Sequence, residues 1–502
     1  MDNINIRRVN SSFLQLECDS SAIAELDEKF TFFVPGYRFM PKFKNKFWDG
    51  KLHLINRGTG IFPYGLLRDV MKQTQNLGYS VTIDKDINDD MSVGNNIDIE
   101  EFIGTLNIPY DLRSFQLDAI IDMWKRKRMI SICPTGSGKS LIIYVFCRIY
   151  QKMISEDQGK ILIVVPSINL TKQMESDFGD YSIDDEWDAS SNVQLMGEGA
   201  TREISKNIVI STWQSISNLS PEWYDSFDVV LADEVHMFKS NETKKISEHA
   251  RFALWKLGTT GTLDGTLTHE MQLSSLFGPP RKYISTTTLI EQGVLSKLKI
   301  YPILFQYSKE LIDADLLGRE YKDEIEFIEN SQEREKVLLD LCINLKGNTL
   351  IMFSRVVKMA NPFYHELKKR LSGTGRNVYL VIGNVGGEER ERIRKIMADE
   401  TDAIIVSNPQ LMSTGVNIRN LQNLIIGTPT KSRIKLLQAI GRILRTTEEC
   451  NTARAFDIVD SFADGIKRKS FTMKHFESRL EQYEAEGFEY EIKKLTIRKT
   501  RA

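Results

Sequence analysis

The sequence predicts an α/β protein with two tandem parallel-sheet domains, a separate N-terminal domain ahead of them and a helical segment behind. Three observations carry this reading. An apolar run, Met129 to Ile132, enters a glycine-rich turn and then an apolar helical stretch, Leu141 to Tyr150. A second apolar run, Phe227 to Ala232, ends in an acidic pair. Short apolar runs alternate with helical segments twice over within 502 residues, more than one ordinary core holds.

The turn reads Cys133-Pro134-Thr135-Gly136-Ser137-Gly138-Lys139-Ser140. Glycines in such a turn let backbone N–H groups face phosphate oxygens at a helix N-terminus, where the dipole favours negative charge. Lys139 would reach the β/γ-phosphates, and the Ser140 hydroxyl would serve Mg²⁺. ATP and Mg²⁺ are therefore the expected cofactors, with Pro134 to Ser140 as the cradle. Cys133 stands where the simple pattern has Gly, and a Ser/Gly-rich turn that binds nothing is the alternative unless a second site accompanies it.

Phe227 to Ala232 supplies that second site, because it delivers Asp233, Glu234 and His236 at a strand's carboxyl end, where ligands of parallel sheets collect. Asp233 can hold a hydrated Mg²⁺, and Glu234 can orient and deprotonate an attacking water. His236 either couples the nucleotide site to a neighbouring domain or satisfies a loop hydrogen bond. Far along the chain, Gln438-Ala439-Ile440-Gly441-Arg442-Ile443-Leu444-Arg445 places two arginines on one helix face. Guanidinium groups delivered together suit the spread-out charge of phosphoryl transfer, where an arginine finger is worth about 10³ to 10⁵ in rate.

In order and spacing these motifs resemble those of superfamily 2 DExH helicases. Leu112 to Gln116 resembles the adenine-recognising segment, with Arg113 and Gln116 as its readers. Val165-Pro166-Ser167 and Ser211-Thr212-Trp213 resemble first-domain strand-binding motifs, and Thr260-Gly261-Thr262 occupies the place of the usual Ser-Ala-Thr. Leu350 to Ser354 and Ser413-Thr414-Gly415-Val416-Asn417 resemble the second-domain motifs. The resemblance implies two RecA-like domains, Lys139, Asp233, Glu234, Gln438, Arg442 and Arg445 in catalysis, and strand grip by Pro166, Ser167, Thr212 and Gly415. It also implies coupling through His236, Thr260 and Thr262. The central Gly261 departs from the family pattern.

Gly36-Tyr37-Arg38-Phe39-Met40-Pro41-Lys42-Phe43, Phe47-Trp48-Asp49-Gly50-Lys51 and Phe62-Pro63-Tyr64-Gly65-Leu66 are similar to the N-terminal stretch of UvsW-type recombination and branch-migration helicases of tailed phages. That likeness implies a small α/β nucleic-acid-binding domain ahead of the two RecA-like domains, and movement 3′ to 5′ on branched DNA (Holliday junctions, stalled forks) and on RNA–DNA hybrids such as R-loops. Recombination or replication proteins are the expected protein partners. Read as residues, the stretch carries Arg38, Lys42, Lys44 and Lys46 interleaved with aromatics. The cations suit backbone phosphates; the rings either stack on unpaired bases or form the core of a small sheet along Tyr37 to Lys44. An RNA helicase and a non-catalytic nucleic-acid scaffold are the other functional readings.

The formal charge of −2 means that any nucleic-acid surface must come from segregated charge. The five cysteines form no C-x-x-C pair, and the six histidines show no metal spacing. No apolar run approaches the roughly 18 residues of a spanning helix, and Met1 to Asn5 lack a leader's character, so no membrane is expected and the cytoplasm, the host's for a phage chain, is the expected location. The expected domains are 1–90, 97–295, 296–460 and 461–502. The acidic, Asn-rich stretch Asp84 to Asn96 is expected to be a linker, and the C-terminal extension to be helix on the second domain or a basic DNA-facing tail.

Overall fold

A computed structural model describes residues 3–94, 98–153, 159–197, 202–238, 240–308, 310–312, 320–382, 392, 396, 399–409, 420–429, 432–444, 452–462 and 470–499. The chain divides into two compact units, Met1–Cys133 with Gly138–Ile284, and Ser285–Ala502 with Pro134–Ser137.

The first unit opens with a four-stranded sheet of β1 (Asn3–Arg8), β2 (Phe13–Glu17), β5 (Ile61–Pro63) and β6 (Ser80–Ile83), in the order β5-β2-β1-β6. A separate pair, β3 (Thr31–Phe33) with β4 (Lys51–His53), is antiparallel. Alternation buries Ile4, Ile6, Leu14 and Leu16 on one face, against the helices Ser20–Lys29 and Leu67–Asn76. The expected aromatic core strand along Tyr37 to Lys44 is absent. Those residues form a 3₁₀ turn, Tyr37–Phe39, and a short helix, Pro41–Lys44, whose first position is the proline that opens it. Arg38, Lys42, Lys44 and Lys46 are all exposed.

Asp84 to Asn96 is not a linker over its described part. Lys85–Ser92 is a helix, and Ile87 is fully buried in the N-terminal core. Its acidic composition is the outer face of an amphipathic helix, a pattern easily read as solvated chain. Lys127 fastens the helix end to the following sheet: its Nζ donates to the Val93 carbonyl at 2.8 Å and lies 5.3 Å from the Trp255 ring centre.

The larger sheet of this unit is parallel throughout, in the order β13-β7-β12-β11-β8-β10-β9. Its strands are β7 (Arg128–Ile132), β8 (Ile161–Val165), β9 (Val193–Met196), β10 (Ile208–Thr212), β11 (Val229–Ala232), β12 (Trp255–Thr260) and β13 (Pro280–Lys282). The central strands are buried along their length, as a sheet covered by helices on both faces requires. The small N-terminal sheet is seated on this larger one by hydrogen bonds to buried cations. Lys256 Nζ donates to Ser12 Oγ and to the Ser247 carbonyl, each at 2.6 Å, and Arg128 donates to the Ser11 carbonyl while lying over the Tyr64 ring.

The second unit holds another parallel sheet, with β14 (Lys297–Tyr307), β15 (Thr349–Met352), β16 (Val378–Val381), β17 (Ile404–Ser407), β18 (Asn423–Ile426), β19 (Thr452–Ser461) and β20 (Lys493–Ile497), in the order β16-β17-β15-β18-β19-β14-β20. Two carboxylates of β19 anchor it from within. Asp460 pairs with Arg334 at 2.7 Å and accepts from Tyr307, and Asp457 pairs with Arg479 at 2.8 Å and accepts from Tyr483. Arg479 and Tyr483 belong to the helix Phe471–Ala485, so these contacts tie the C-terminal extension to the sheet. That extension is not purely helical: β20 adds an edge strand to β14, placing Lys493 and Lys494 on the sheet margin.

Candidate functional site

The phosphate-loop candidate leaves β7 at Ile132 and enters the helix Lys139–Met153. Gly136 and Gly138 have φ of +84° and +81°, backbone that L side chains rarely adopt. A Cβ at Gly138 would lie 2.5 Å from Gln116 Nε2, so the Gln116 amide rests against the loop backbone. Its Oε1 meanwhile accepts the Arg113 N–H at 2.9 Å, which brings the expected adenine-reading segment beside the turn. Lys139 Nζ lies 3.4 Å from the Cys133 carbonyl and 3.7 Å from Glu234 Oε1. The loop lysine and the acidic pair, 95 positions apart by their numbers, therefore meet.

Asp233 follows β11 directly and is held twice. Its N–H donates to the Val164 carbonyl at 2.9 Å, and its Oδ1 accepts from Thr259 Oγ1 at 2.7 Å. Burial, and then the neighbouring Glu234 charge, push its carboxyl above the usual carboxylate range, while Lys139 pulls it back. Two adjacent acids in a desolvated place are short of positive charge. The hydroxyl of Ser140 and the carboxylate of Asp233 are hard oxygen donors that fit Mg²⁺. Ser140 Oγ is 2.7 Å from Tyr181 OH.

Glu234 itself has φ 50° and ψ 47°, a left-handed conformation that costs a non-glycine residue about 1–2 kcal/mol. The twist starts the 3₁₀ turn Val235–Met237 and points the chain so that His236 is buried. His236 Nδ1 lies 2.8 Å from Thr260 Oγ1 and 3.2 Å from Glu234 Oε2. Because Thr260 Oγ1 donates its only proton to the Thr262 carbonyl at 3.0 Å, it accepts from the ring, which places the ring proton on Nδ1. The three expected coupling residues thus form one connected chain with Glu234.

The strand-grip candidates lie along the same carboxyl edge. Pro166 and Ser167 leave β8, and Thr212 ends β10, its Oγ1 2.9 Å from Ser215 Oγ. Ser167 Oγ is buried and has no hydrogen-bond partner among the described residues. Since the sheet order runs β7-β12-β11-β8-β10, the nucleotide candidates occupy one half of the edge and the grip candidates the other. Ala232 of β11 is in register with Val164 of β8, so the halves abut.

In the second unit, Gln438 and Arg442 share a face of the helix Arg433–Ile443, and the strand-end Ser354 donates its N–H to Thr428 Oγ1 at 2.8 Å. Arg445 and Gly415 lie outside the described residues. The sequence reading missed Thr259, which orients Asp233, and Tyr181, which meets Ser140; neither has a motif of its own, and both are recognisable only from contacts across the fold. No described helix is long and apolar enough to cross a membrane.

Two tandem parallel sheets, the first with this edge chemistry, define a nucleic-acid motor of superfamily 2. Family models agree with that class: "Type III restriction enzyme, res subunit" matches residues 109–265, and "Helicase conserved C-terminal domain" matches 333–447. A third, "DNA helicase UvsW, N-terminal", matches residues 3–84. The ATP-dependent DNA helicase uvsW of Enterobacteria phage T4 is 30% identical over 99% of this chain and 100% of that protein. The crystal structure of T4 UvsW superposes with a TM-score of 0.50 at 28% identity, covering 99% of this chain and 100% of that one. More distantly, the DNA 3'-5' translocase XPB2 of Sulfurisphaera tokodaii is 24% identical over 70% of this chain and 84% of its own. The chain belongs to the UvsW family of superfamily 2 helicases, ATP-hydrolysing enzymes that act on DNA.

Proposed function

We propose that this helicase remodels branched DNA, including Holliday junctions and stalled forks, and displaces strands from RNA–DNA hybrids, with 3′ to 5′ movement as in the name of the archaeal relative. The observation that carries the mechanism is the Glu234–His236–Thr260 chain on the carboxyl edge shared with Ser167 and Thr212. In this reading Pro134 to Ser140 cradle the triphosphate of ATP, Gln116 and Arg113 read adenine, and Lys139 neutralises the β/γ-phosphates. Glu234 takes the proton of the attacking water at its carboxylate. Arg442 and Arg445 supply positive charge from the second domain as the phosphoryl charge spreads, and the neutral Gln438 amide adds a hydrogen-bond donor beside them.

Ser140 and Asp233 would hold Mg²⁺, which would offset the charge of the phosphates. Asp233 is positioned by Thr259 for that role. Pro166, Ser167, Thr212 and Gly415 grip the tracked strand by its phosphates, so affinity carries no sequence preference. His236, Thr260 and Thr262 transmit the state of Glu234 along the edge. Arg38, Lys42, Lys44 and Lys46 add phosphate contacts from the N-terminal domain. The functional domains are 1–90, 97–295, 296–460 and 461–502, acting in the cytoplasm of the host with recombination or replication proteins.

The test is ATP hydrolysis with no nucleic acid, single-stranded DNA, single-stranded RNA and a synthetic four-way junction, with strand separation followed on the junction. Stimulation by DNA with separation of the junction is the expected result. Stimulation by RNA alone would transfer the assignment to an RNA helicase.

A further inference from the structure

Residues 34–50, between β3 and β4, form a closed excursion. Val34 N–H donates to the Gly50 carbonyl at 2.9 Å across its base, and Phe47 N–H donates to the Lys42 carbonyl at 2.9 Å across its tip. It has its own small aromatic core. The Tyr37 ring stacks on Phe33 at 4.9 Å and meets Phe43 edge-on at 4.7 Å. Gly50 is required there, since a Cβ would lie 2.3 Å from the Tyr37 ring. Trp48 is fastened too, its Nε1 donating to the Lys51 carbonyl at 2.8 Å.

Phe39 and Phe47 take no part in this core and are 81% and 84% exposed. They flank the helix Pro41–Lys44 at either end, and the only charged residues from Val34 to Trp48 are Arg38, Lys42, Lys44 and Lys46. Single exposed apolar rings are ordinary. Two rings on a braced excursion that carries four cations, and whose single acid, Asp49, lies 2.9 Å from His53 at the base, are a different matter. A protein partner with an acidic surface would satisfy the cations but leaves the flat rings without a role. A nucleic acid satisfies both, through phosphates and through base faces.

We propose that residues 34–50 are a stacking wedge at the point where two strands part: Phe39 and Phe47 cover the faces of bases freed at the branch, and the cations hold the flanking phosphates. The inference rests on the branched-DNA reading above and deepens it. Stacking on rings lowers the cost of opening the first base pair, so the branch is partly open before ATP is spent. Base–aromatic stacking accepts any base, which matches a motor that carries no sequence preference.

The experiment compares full-length protein with Phe39→Ala/Phe47→Ala, and with Phe252→Ala, a 62% exposed ring in the same unit, as control. A synthetic fork carries 2-aminopurine at the first base pair of the branch. Two quantities are read: the fluorescence rise on adding protein without ATP, and base pairs separated per ATP hydrolysed. The double variant should lose the fluorescence rise and lower the separation ratio about tenfold, while Phe252→Ala matches the parent. Thermal melting checks folding, which exposed positions should not disturb. A folded double variant with the parental fluorescence rise and ratio overturns the wedge and leaves the helicase reading standing. A parent that neither responds to the fork nor separates it overturns the branched-DNA reading itself, and the wedge with it.

Discussion

His236 Nδ1 lies 2.8 Å from Thr260 Oγ1 and 3.2 Å from Glu234 Oε2, so one buried imidazole joins the acid that ends β11 to the turn that leaves β12. The ring nitrogen bonded to Thr260 thus also lies within reach of the Glu234 carboxylate. Any shift of Glu234 toward an attacking water therefore changes how strongly Thr260 is held. Thr260→Val keeps the shape and removes the acceptor. A buried hydrogen bond of this kind is worth about 1 kcal/mol, so the DNA stimulation of ATP hydrolysis should fall roughly five- to tenfold, with KM for ATP within about threefold of the parent. An equal loss with and without DNA would show that the residue is structural.

Asp233 carries a stability cost in its buried charge. Its folded carboxyl titrates above the ordinary value, so the folded state holds more protons than the unfolded state in the window between them. Stability from this group therefore falls as pH rises through that window, and at neutral pH the buried charge is a net cost. Asp233→Asn keeps an acceptor for Thr259 and removes the charge. Its melting temperature should rise by about 2–4 °C at pH 7 and gain little near pH 4, while hydrolysis is lost. A lower melting temperature at pH 7 would contradict the assignment.

Lys127 has the opposite sign. Burial lowers its ammonium to about 8 from an ordinary 10.5, a loss that the Asp90 charge only partly offsets. Between those values the unfolded chain binds more protons, so stability from this group rises with pH from about 8 to 10.5 and is constant below. Denaturation of Lys127→Met followed across that range should show a flatter profile than the parent; an unchanged slope would refute the account.

The exposed cations of the N-terminal excursion should be visible in salt dependence. Each phosphate contact contributes about 0.7–0.9 to the slope of log affinity against log salt. Lys42→Ala/Lys44→Ala/Lys46→Ala should therefore make the slope for fork binding shallower by about 2–3, at every sequence alike. An identical slope would place these lysines away from the nucleic acid.

How much was legible in the sequence follows from how local each signal is. The glycine-rich turn and the acidic pair stand out because glycine spacing and continuous apolar runs are short-range patterns, and the apolar runs Met129 to Ile132 and Phe227 to Ala232 fall on β7 and β11 to within two residues. β14 escaped, since alternation of exposed and buried residues around Pro302 looks like loop until a sheet gives it neighbours. The helix Lys85–Ser92 was hidden by an acidic outer face around one buried Ile87. Phe39 and Phe47 were the hardest case. Alternation among Tyr37, Phe39 and Phe43 imitates a strand, and only the 3₁₀ turn and short helix reveal which rings are spent on the core. Within the site, Thr259 and Tyr181 are invisible locally because their partners are 26 and 41 residues away.

The central claim is that Glu234 drives hydrolysis on an edge shared with the DNA strand. The most direct measurement is ATP turnover by the parent and by Glu234→Gln, each with and without single-stranded DNA, together with binding of a fluorescent ATP analogue. The account predicts DNA-stimulated turnover in the parent, a loss of at least about a hundredfold in the variant, consistent with general-base chemistry, and retained nucleotide binding. Comparable turnover in Glu234→Gln, or parental hydrolysis indifferent to DNA, would contradict it.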